Sequence, residues 1–341
     1  MSSQIEEIDT RRAAESTLLA LHELYLLRDE ENLPGDPPMP QAQRLADWRH
    51  FVTTDAIPRW VMWEDGAVIG TSLAHMDLEQ NLENAFGWVY LHPEHRGRGL
   101  MRPLTTPMLD TLEQYGRTRF ATVVIGERPE GELAKRAGLE HALTEKRSRL
   151  EFRDVDWDLM GAWVDRAADR ASDYELLFLP SPIPDEHVAA FCDVFAVMNT
   201  APLEDFEQED EVLTPEVLRD YETTDLARGV QNLTYVAVHK PTGRFAGFTN
   251  VKYQHLHPEQ VWQDDTGVDP AHRNRGLGRW LKAAMALELR STYPEVRRID
   301  THNAGSNVPM LNINVEMGFR PILVENVWQG SLATLRERLS V

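Results

Sequence analysis

The sequence predicts an α/β chain (α+β, with mixed sheets) that contains one fold twice, each copy a mostly antiparallel twisted sheet flanked by helices. Three observations predict it: two blocks that recur in one register, hairpins that open each copy, and a strand–turn–helix–strand order after them. The first block pairs Asp65-Gly66-Ala67-Val68-Ile69-Gly70 with Thr242-Gly243-Arg244-Phe245-Ala246-Gly247. The second pairs Pro93-Glu94-His95-Arg96-Gly97-Arg98-Gly99-Leu100 with Pro270-Ala271-His272-Arg273-Asn274-Arg275-Gly276-Leu277. Gly66 and Gly243 lie 177 residues apart, and so do Arg96 and Arg273. Two blocks sharing one separation indicate duplication of a whole domain.

The elements agree in order. Residues 60–63 and 67–74 flank Glu64-Asp65-Gly66, a turn-forming Asp-Gly pair, and read as a hairpin; residues 233–239 and 245–251 read the same way. A third strand follows at 85–91 and 261–268, then a glycine-bearing turn, then an amphipathic helix at 100–115 and 277–291. Strands at 120–125 and 296–301 come next, each followed by a short helix ending at Gly138 or Gly318. Helices precede the hairpins at 12–27 in the first copy and at 185–199 and 215–223 in the second. A polar helical stretch at 156–170 separates the copies and sets the expected domains at 1–155 and 156–341.

With 341 residues and 42% hydrophobic content, each half can bury a core. No run reaches the ~18 apolar residues of a membrane span. The acidic first residues do not resemble a secretory signal, so the chain reads as cytoplasmic. The single Cys192 excludes an intrachain disulfide and a cysteine-built zinc site, and its apolar helical surroundings read as packing. A net charge of −20 repels polyanions, which argues against a nucleic-acid partner. It is compatible with cationic substrates and equally with plain solubility.

The most informative stretch is His272-Arg273-Asn274-Arg275-Gly276-Leu277-Gly278, between an extended segment and a helix. A glycine-bearing turn at a helix start presents free N–H groups and the positive end of the dipole, which suits a pyrophosphate. The Walker and dinucleotide patterns both fail, because no Gly-Lys-Ser/Thr follows and Leu281 stands where a third glycine is needed. Arg273-x-x-Gly276-x-Gly278 instead matches [Arg/Gln]-x-x-Gly-x-[Gly/Ala], the acyl-CoA signature of the GNAT acyltransferases. The chain resembles the tandem GNAT N-acetyltransferases of actinobacteria, with the two-copy architecture also found in mycothiol synthase.

The resemblance implies acetyl-CoA as co-substrate and no metal. It implies that the turn amides of Arg273, Asn274, Arg275, Gly276, Leu277 and Gly278 hold the pyrophosphate. It further implies that the backbone at Val268 pairs with the pantetheine arm or the acyl carbonyl. A second family signature matches at Asn307, Gly318 and Phe319, but Asn314 replaces the usual tyrosine acid. In the first copy Met101 stands where Gly278 stands in the second, and Ala134 where Asn314 stands. The strand there carries no carboxylate, so the first copy is expected to be a non-catalytic scaffold.

An amine of pKa near ~10 must lose a proton before it attacks a thioester. Period-two counting puts Asp264 on the same side as Val268, which favours it as base; a bulge would invert that parity and bring in Asp265. Asn314 can donate a hydrogen bond to the departing sulfur, or else pack and cap within its short helix. His302 and Asn303 either face the acyl group or are turn residues. The acidic run at 204–211 reads as a solvated loop in which Asp205 or Glu207 selects an ammonium group.

These readings converge on transfer of an acyl group from CoA to a primary amine, with a small molecule as partner and a monomer or homodimer as the assembly. A catalytically weak CoA-binding or sensing protein and a peptide or protein N-acetyltransferase are the alternatives. The sequence leaves acetyl and longer acyl groups undistinguished.

Overall fold

The computed structural model of the protein describes residues 3–340. In chain order the first repeat runs β1 Gln4–Ile8, α1 Glu15–Asn32, α2 Gln41–Arg49, β2 Asp55–Ala56, β3 Arg59–Glu64, β4 Ala67–Asp77 and β5 Asn84–Leu91. It continues with α3 Met101–Gln114, β6 Arg119–Ile125, α4 Glu130–Arg136 and β7 Glu140–Glu151. The second repeat runs α5 Trp157–Arg170, β8 Tyr174–Leu179, α6 Asp185–Phe195, α7 Pro215–Ala227, β9 Val230–His239, β10 Arg244–Gln254 and β11 Gln260–Val268. It ends with α8 Leu277–Thr292, β12 Arg298–Ala304, α9 Val308–Met317, β13 Arg320–Ser331 and α10 Leu332–Leu339. The mixed α/β class and the duplication are as the sequence predicts. Among the described residues, no helix is long and apolar enough to cross a membrane.

The chain forms two compact units. The sequence divides the domains in one cut at 155/156; the structure divides them at 145/146 and exchanges two segments. Unit 1 takes Leu203–Glu209 and everything from Leu323 onward, and unit 2 takes Lys146–Pro202 and Asp210–Ile322. Strand pairing is the cause. β13 pairs antiparallel with β6, from Glu325 opposite Ile125 to Ser331 opposite Arg119. The strand order of unit 1 is therefore β1-β3-β4-β5-β6-β13, with β2 on β4, and that of unit 2 is β8-β9-β10-β11-β12-β7. Each repeat supplies its last strand to the other unit.

In unit 2, alternate side chains of the sheet feed two cores. Leu233, Val251 and Val261 join Met285, Leu289 and Phe319 beneath α5 and α8. Val236 and Phe248 face the other way, against Phe191 and Val194 of α6 and Leu218 of α7. Cys192 is half-buried beside this second core and burial raises its thiol pKa, as suits a packing residue. Caps stop the helices locally: the Asp156 side chain accepts from the Leu159 amide at 2.9 Å, and Gly318 closes α9 at φ 103°.

The repeated glycines mark a shared irregularity. In unit 1, Met62 pairs with Gly70 and Trp63 with Val68, leaving Ile69 unopposed. In unit 2, Phe245 pairs with Val238 and Gly247 with Ala237, leaving Ala246 unopposed. Both bulges sit one residue before the glycine of the repeat. A Cβ on Gly247 would stand 2.6 Å from the Gly267 carbonyl oxygen and 3.0 Å from Val268 Cα, which are backbone atoms that cannot swing away. Gly161, inside α5, has open space around it. Thermal unfolding is therefore expected to show G247A less stable by ~1–3 kcal/mol, and G161A more stable by ~0.5–1 kcal/mol. Equal effects of the two would refute the packing argument.

Candidate active site

Parallel pairing of β11 with β12 covers only Gln260–Gln263 against Arg298–Thr301, as Gln260↔Arg298 through Gln263↔Thr301. Beyond that point the strands part, and β11 keeps β10 alone as a neighbour, Thr249↔Thr266 through Gly247↔Val268. The Asp269 amide donates to the Ala246 carbonyl at 2.9 Å. Alternation along the strand then turns the Val268 amide the other way, into the opening. The Val268 carbonyl, on the same side, accepts from Arg273 Nε at 2.9 Å.

The turn that follows is built as the glycine spacing requires. Asn274 (φ 63°) and Gly276 (φ 86°) are left-handed, and Gly276 caps α8. Leu277 is buried with Leu281 and Ala246, so only its backbone serves the turn. A Cβ at Gly278 would meet Ile313 Cδ1 at 3.2 Å. Arg273 Nη2 donates to the Thr200 hydroxyl at 2.6 Å, and Arg275 is exposed with no carboxylate partner among the described residues. Two guanidinium charges thus stand at the turn without a counter-charge, at a helix N-terminus. That arrangement suits an anion such as pyrophosphate.

Unit 1 repeats the turn but neutralises it. Arg96 Nε again donates to a strand carbonyl, that of Leu91, at 3.2 Å, yet its two terminal nitrogens hold both oxygens of Glu31 at 2.9 and 2.7 Å. Tyr90 also donates to Glu31, and Arg128 bonds Asn32 at 2.8 Å. Burial of the Glu31 carboxyl favours protonation, but the bonds from Arg96 and Tyr90 outweigh it and lower its pKa. Arg98 is held by Glu64 at 2.7 Å, with His95 3.1 Å from the same carboxylate. Where unit 2 sets the neutral Thr200 against its turn arginine, unit 1 sets an anion.

Between α6, α7 and the sheet of unit 2 lies a cavity of about 220 Å³. Phe191, Phe195, Leu213 and Leu218 form its apolar wall, and Glu211, Glu222, Asp225, Asp264, Asp265 and Lys252 bring charge to it. The cross-strand rows of β9 and β10 explain its polarity: Val236↔Phe248, then Thr234↔Asn250, then Asn232↔Lys252. One strand face changes from core to cavity over three rows. Glu222 accepts from the Ile183 amide at 2.6 Å and pairs with Arg219, while Asp225 accepts from Asn232 at 2.8 Å.

At the cavity's edge β11 carries one residue more than β10 can match. Thr249 pairs with Thr266 but Val251 pairs with Gln263, so Asp264 and Asp265 both stand opposite Asn250. The corresponding ladder of unit 1 is unbroken, Ser72↔Val89 through His75↔Phe86. The surplus residue belongs to the second repeat alone. Period-two parity fails at this bulge, and both aspartates line the cavity. Asn250 Oδ1 accepts from the Asp265 amide at 2.8 Å, and Lys252 Nζ lies 2.8 Å from Asp264. Burial pushes the Asp265 carboxyl up to about 7; the charges of Asp264 and Glu211 add to this and Lys252 opposes it. Burial disfavours the Lys252 ammonium, but Asp264, Asp225 and Asp265 outweigh that and raise its pKa.

Other sequence-predicted residues are placed elsewhere. Asn314 is buried, and its Nδ2 donates to Asn303 Oδ1 at 2.7 Å, tying α9 to the end of β12. Asn307 caps α9 through the Met310 amide at 3.4 Å. His302 stacks on Trp262, ring centroids 5.5 Å apart, and neither it nor Asn303 lines the cavity. Asp205 and Glu207 lie in unit 1: the Asp205 amide donates to the Ala142 carbonyl, and the Glu207 carboxylate is bound by Arg119. From the same acidic run, Glu211 reaches the cavity instead. Sequence reasoning missed Lys252, Glu211, Glu222 and Asp225. The available signal was Lys252 itself, a cation in phase with Phe248 and Asn250 on an apolar strand.

The model of the acetyltransferase (GNAT) family matches residues 20–139 and 196–319, one match in each repeat. The chain belongs to the GNAT acetyltransferase family. It is accordingly an acyltransferase, and its fold recurs in solved structures, one of them tandem. A tandem GNAT protein from the clavulanic acid biosynthesis pathway, solved without acetyl-CoA, is 23% identical with a TM-score of 0.78, over 97% of this chain and 99% of that one. A GCN5-related N-acetyltransferase from Sphaerobacter thermophilus is 12% identical with a TM-score of 0.68, over 96% of each chain. No curated protein sequence matches the chain.

The contrast between the two GNAT turns predicts one CoA site per chain. By calorimetry, G278M, which installs the residue found at Met101, is expected to weaken CoA binding at least ~10-fold, and R96A to leave it unchanged. Two equal CoA sites, or loss of binding in R96A, would contradict the assignment to unit 2.

Proposed function

We propose that the protein transfers the acetyl group of acetyl-CoA to the primary amine of a small cationic molecule, with unit 2 as the working copy. The observation that carries this reading is the acidic cavity that ends on the Asp264–Asp265 bulge, a feature absent from unit 1. At about 220 Å³ it has the volume of roughly seven water molecules at ~30 Å³ each. It is smaller than the ~300 Å³ at which sites for drug-sized ligands begin. That size favours a short amine over a peptide or protein side. Its carboxylates favour an acceptor that arrives as an ammonium ion, and its phenylalanine and leucine wall favours an aliphatic or aromatic body.

The residues fit acetyl-CoA. The amides of residues 273–278 and the Arg275 guanidinium would hold the pyrophosphate, and the Val268 N–H would pair with the arm that follows. The co-substrate supplies a thioester carbonyl. Asp265 takes the proton from the ammonium group, the freed nitrogen lone pair forms the C–N bond, and the C–S bond breaks. A thiol of pKa near ~8.5 leaves as its thiolate without an obligatory acid, and the second proton of the nitrogen, shed as the amide forms, passes to that thiolate or to water. This accords with Asn314 at the position where relatives in the resemblance carry tyrosine, held by Asn303. Asp264 is engaged by Lys252 instead.

A base must be ionised to act, and Asp265 loses its proton as pH rises through about 7. Acceptor-dependent kcat/KM is therefore expected to fall below that pH, and D265N to lower it ~10²-fold or more. The measurement is CoA release against a panel of short amines, diamines and peptides. Turnover confined to peptides would overturn the substrate reading, and a wild-type rate in D265N would overturn the base.

A further inference from the structure

The bulge sets two carboxylates side by side, and two adjacent anions facing one small cavity do not ionise independently. One of them takes a counter-ion: Lys252 Nζ lies 2.8 Å from Asp264, while Asp265 is engaged through its backbone, the amide by Asn250 and the carbonyl by Gln263. Lys252 is fixed in that place by its strand, directly opposite Asn232, which in turn bonds Asp225. We propose that Lys252 is a positioning residue that, by binding Asp264, keeps Asp265 as the carboxylate of the bulge that exchanges a proton with the acceptor. This deepens the proposed function and rests on Asp265 as its base.

The charged groups that face this pair are few. From β11 there is Asp264, from β10 Lys252, and from the segment before α7 Glu211. From α7 come Asp225, which faces Lys252, and Glu222, which is paired with Arg219; Tyr221 lines the same wall. β9 contributes the neutral Asn232 and Thr234, and α6 contributes Phe191 and Phe195. Lys252 is the one cation among the lining residues. Removing it exposes Asp265 to an uncompensated neighbour and holds its proton on to higher pH. Removing the Asp264 charge leaves an unpaired ammonium nearby and releases that proton at lower pH. The two deletions act in opposite directions, which a merely structural role for either residue would not produce.

The experiment is the pH profile of kcat/KM for K252M, D264N, K252R and D265N in the full chain, with CoA release as readout. The acidic limb is expected to move up by about one pH unit in K252M and down by about one in D264N, and to return toward wild type in K252R. At pH 6 this makes K252M about tenfold slower than wild type relative to its own plateau. Limbs that stay in place, or that move the same way in K252M and D264N, overturn the role of Lys252. An acidic limb that survives in D265N overturns the base beneath it, a distinct failure. D264N keeps the test open if K252M does not fold.

Discussion

The side-chain amide of Gln263 sits where the β10–β11 ladder is broken, donating to the Asn250 carbonyl at 2.7 Å and to the Thr249 hydroxyl at 3.1 Å. The Asp265 carbonyl at 3.3 Å and the Thr266 hydroxyl at 3.4 Å share the same nitrogen. A surplus strand residue leaves backbone groups without ladder partners, and each such buried group costs ~1–3 kcal/mol if it stays unpaired. Gln263 absorbs that cost, so the bulge persists. It follows that two aspartates, rather than one, face the cavity. The parting of β11 from β12 belongs to the frame instead, since in unit 1, with its ladder unbroken, β5 likewise pairs with β6 only as far as Phe86↔Ala121.

Unit 1 shows what the same frame does without it. Its ladder is regular through Ser72↔Val89 and Ala74↔Gly87, and its turn arginines are spent on Glu31 and Glu64. The fold loses nothing, because the core residues and the shared bulge at Ile69 do not depend on the turn being free. Retention of fold and pairing of the turn arginines with carboxylates are therefore compatible. Unit 1 differs from unit 2 by two carboxylates at the turn and one residue fewer in a strand.

The repeat was legible because its markers are backbone constraints: left-handed glycines at turns and Gly70 and Gly247 where a neighbour comes close. The glycine-bearing turn before α8 was legible for the same reason. A constant separation of 177 residues, however, hides the surplus residue: Gly87 takes the ladder place of Gln263, 176 residues on. A fixed offset of 177 sets Gly87 against Asp264, a ladder position against a bulge. The parity that favoured Asp264 over Asp265 failed there too, since alternation holds only where pairing is one to one. The cavity residues were less legible because Lys252, Asp225 and Glu211 come from three elements that only the folded sheet and helices bring together. The last strands were hidden for another reason. β7 carries Glu-Lys-Arg-Ser-Arg, which reads as a solvated segment rather than a strand.

That charge has a structural use. Arg147 and Arg149 of β7 bind the fully buried Asp300 of β12 at 2.6 and 2.7 Å, and Gln260 of β11 adds a bond at 3.3 Å. Arg147 also lies over the Trp262 ring, 4.5 Å from its centroid. Removing one partner from a buried ion cluster typically costs ~3–5 kcal/mol, so β12 is held firmly on the side away from β11. On the other side of the opening β11 is held by β10, through Thr266, Gly267 and Val268. Two strands that part inside a sheet expose unpaired edges, and such edges close up unless each strand is anchored on its outer flank. The Asp300 cluster and the β10 ladder supply those anchors. The opening between β11 and β12 is thus flanked by an ion cluster on one side and by backbone pairing on the other.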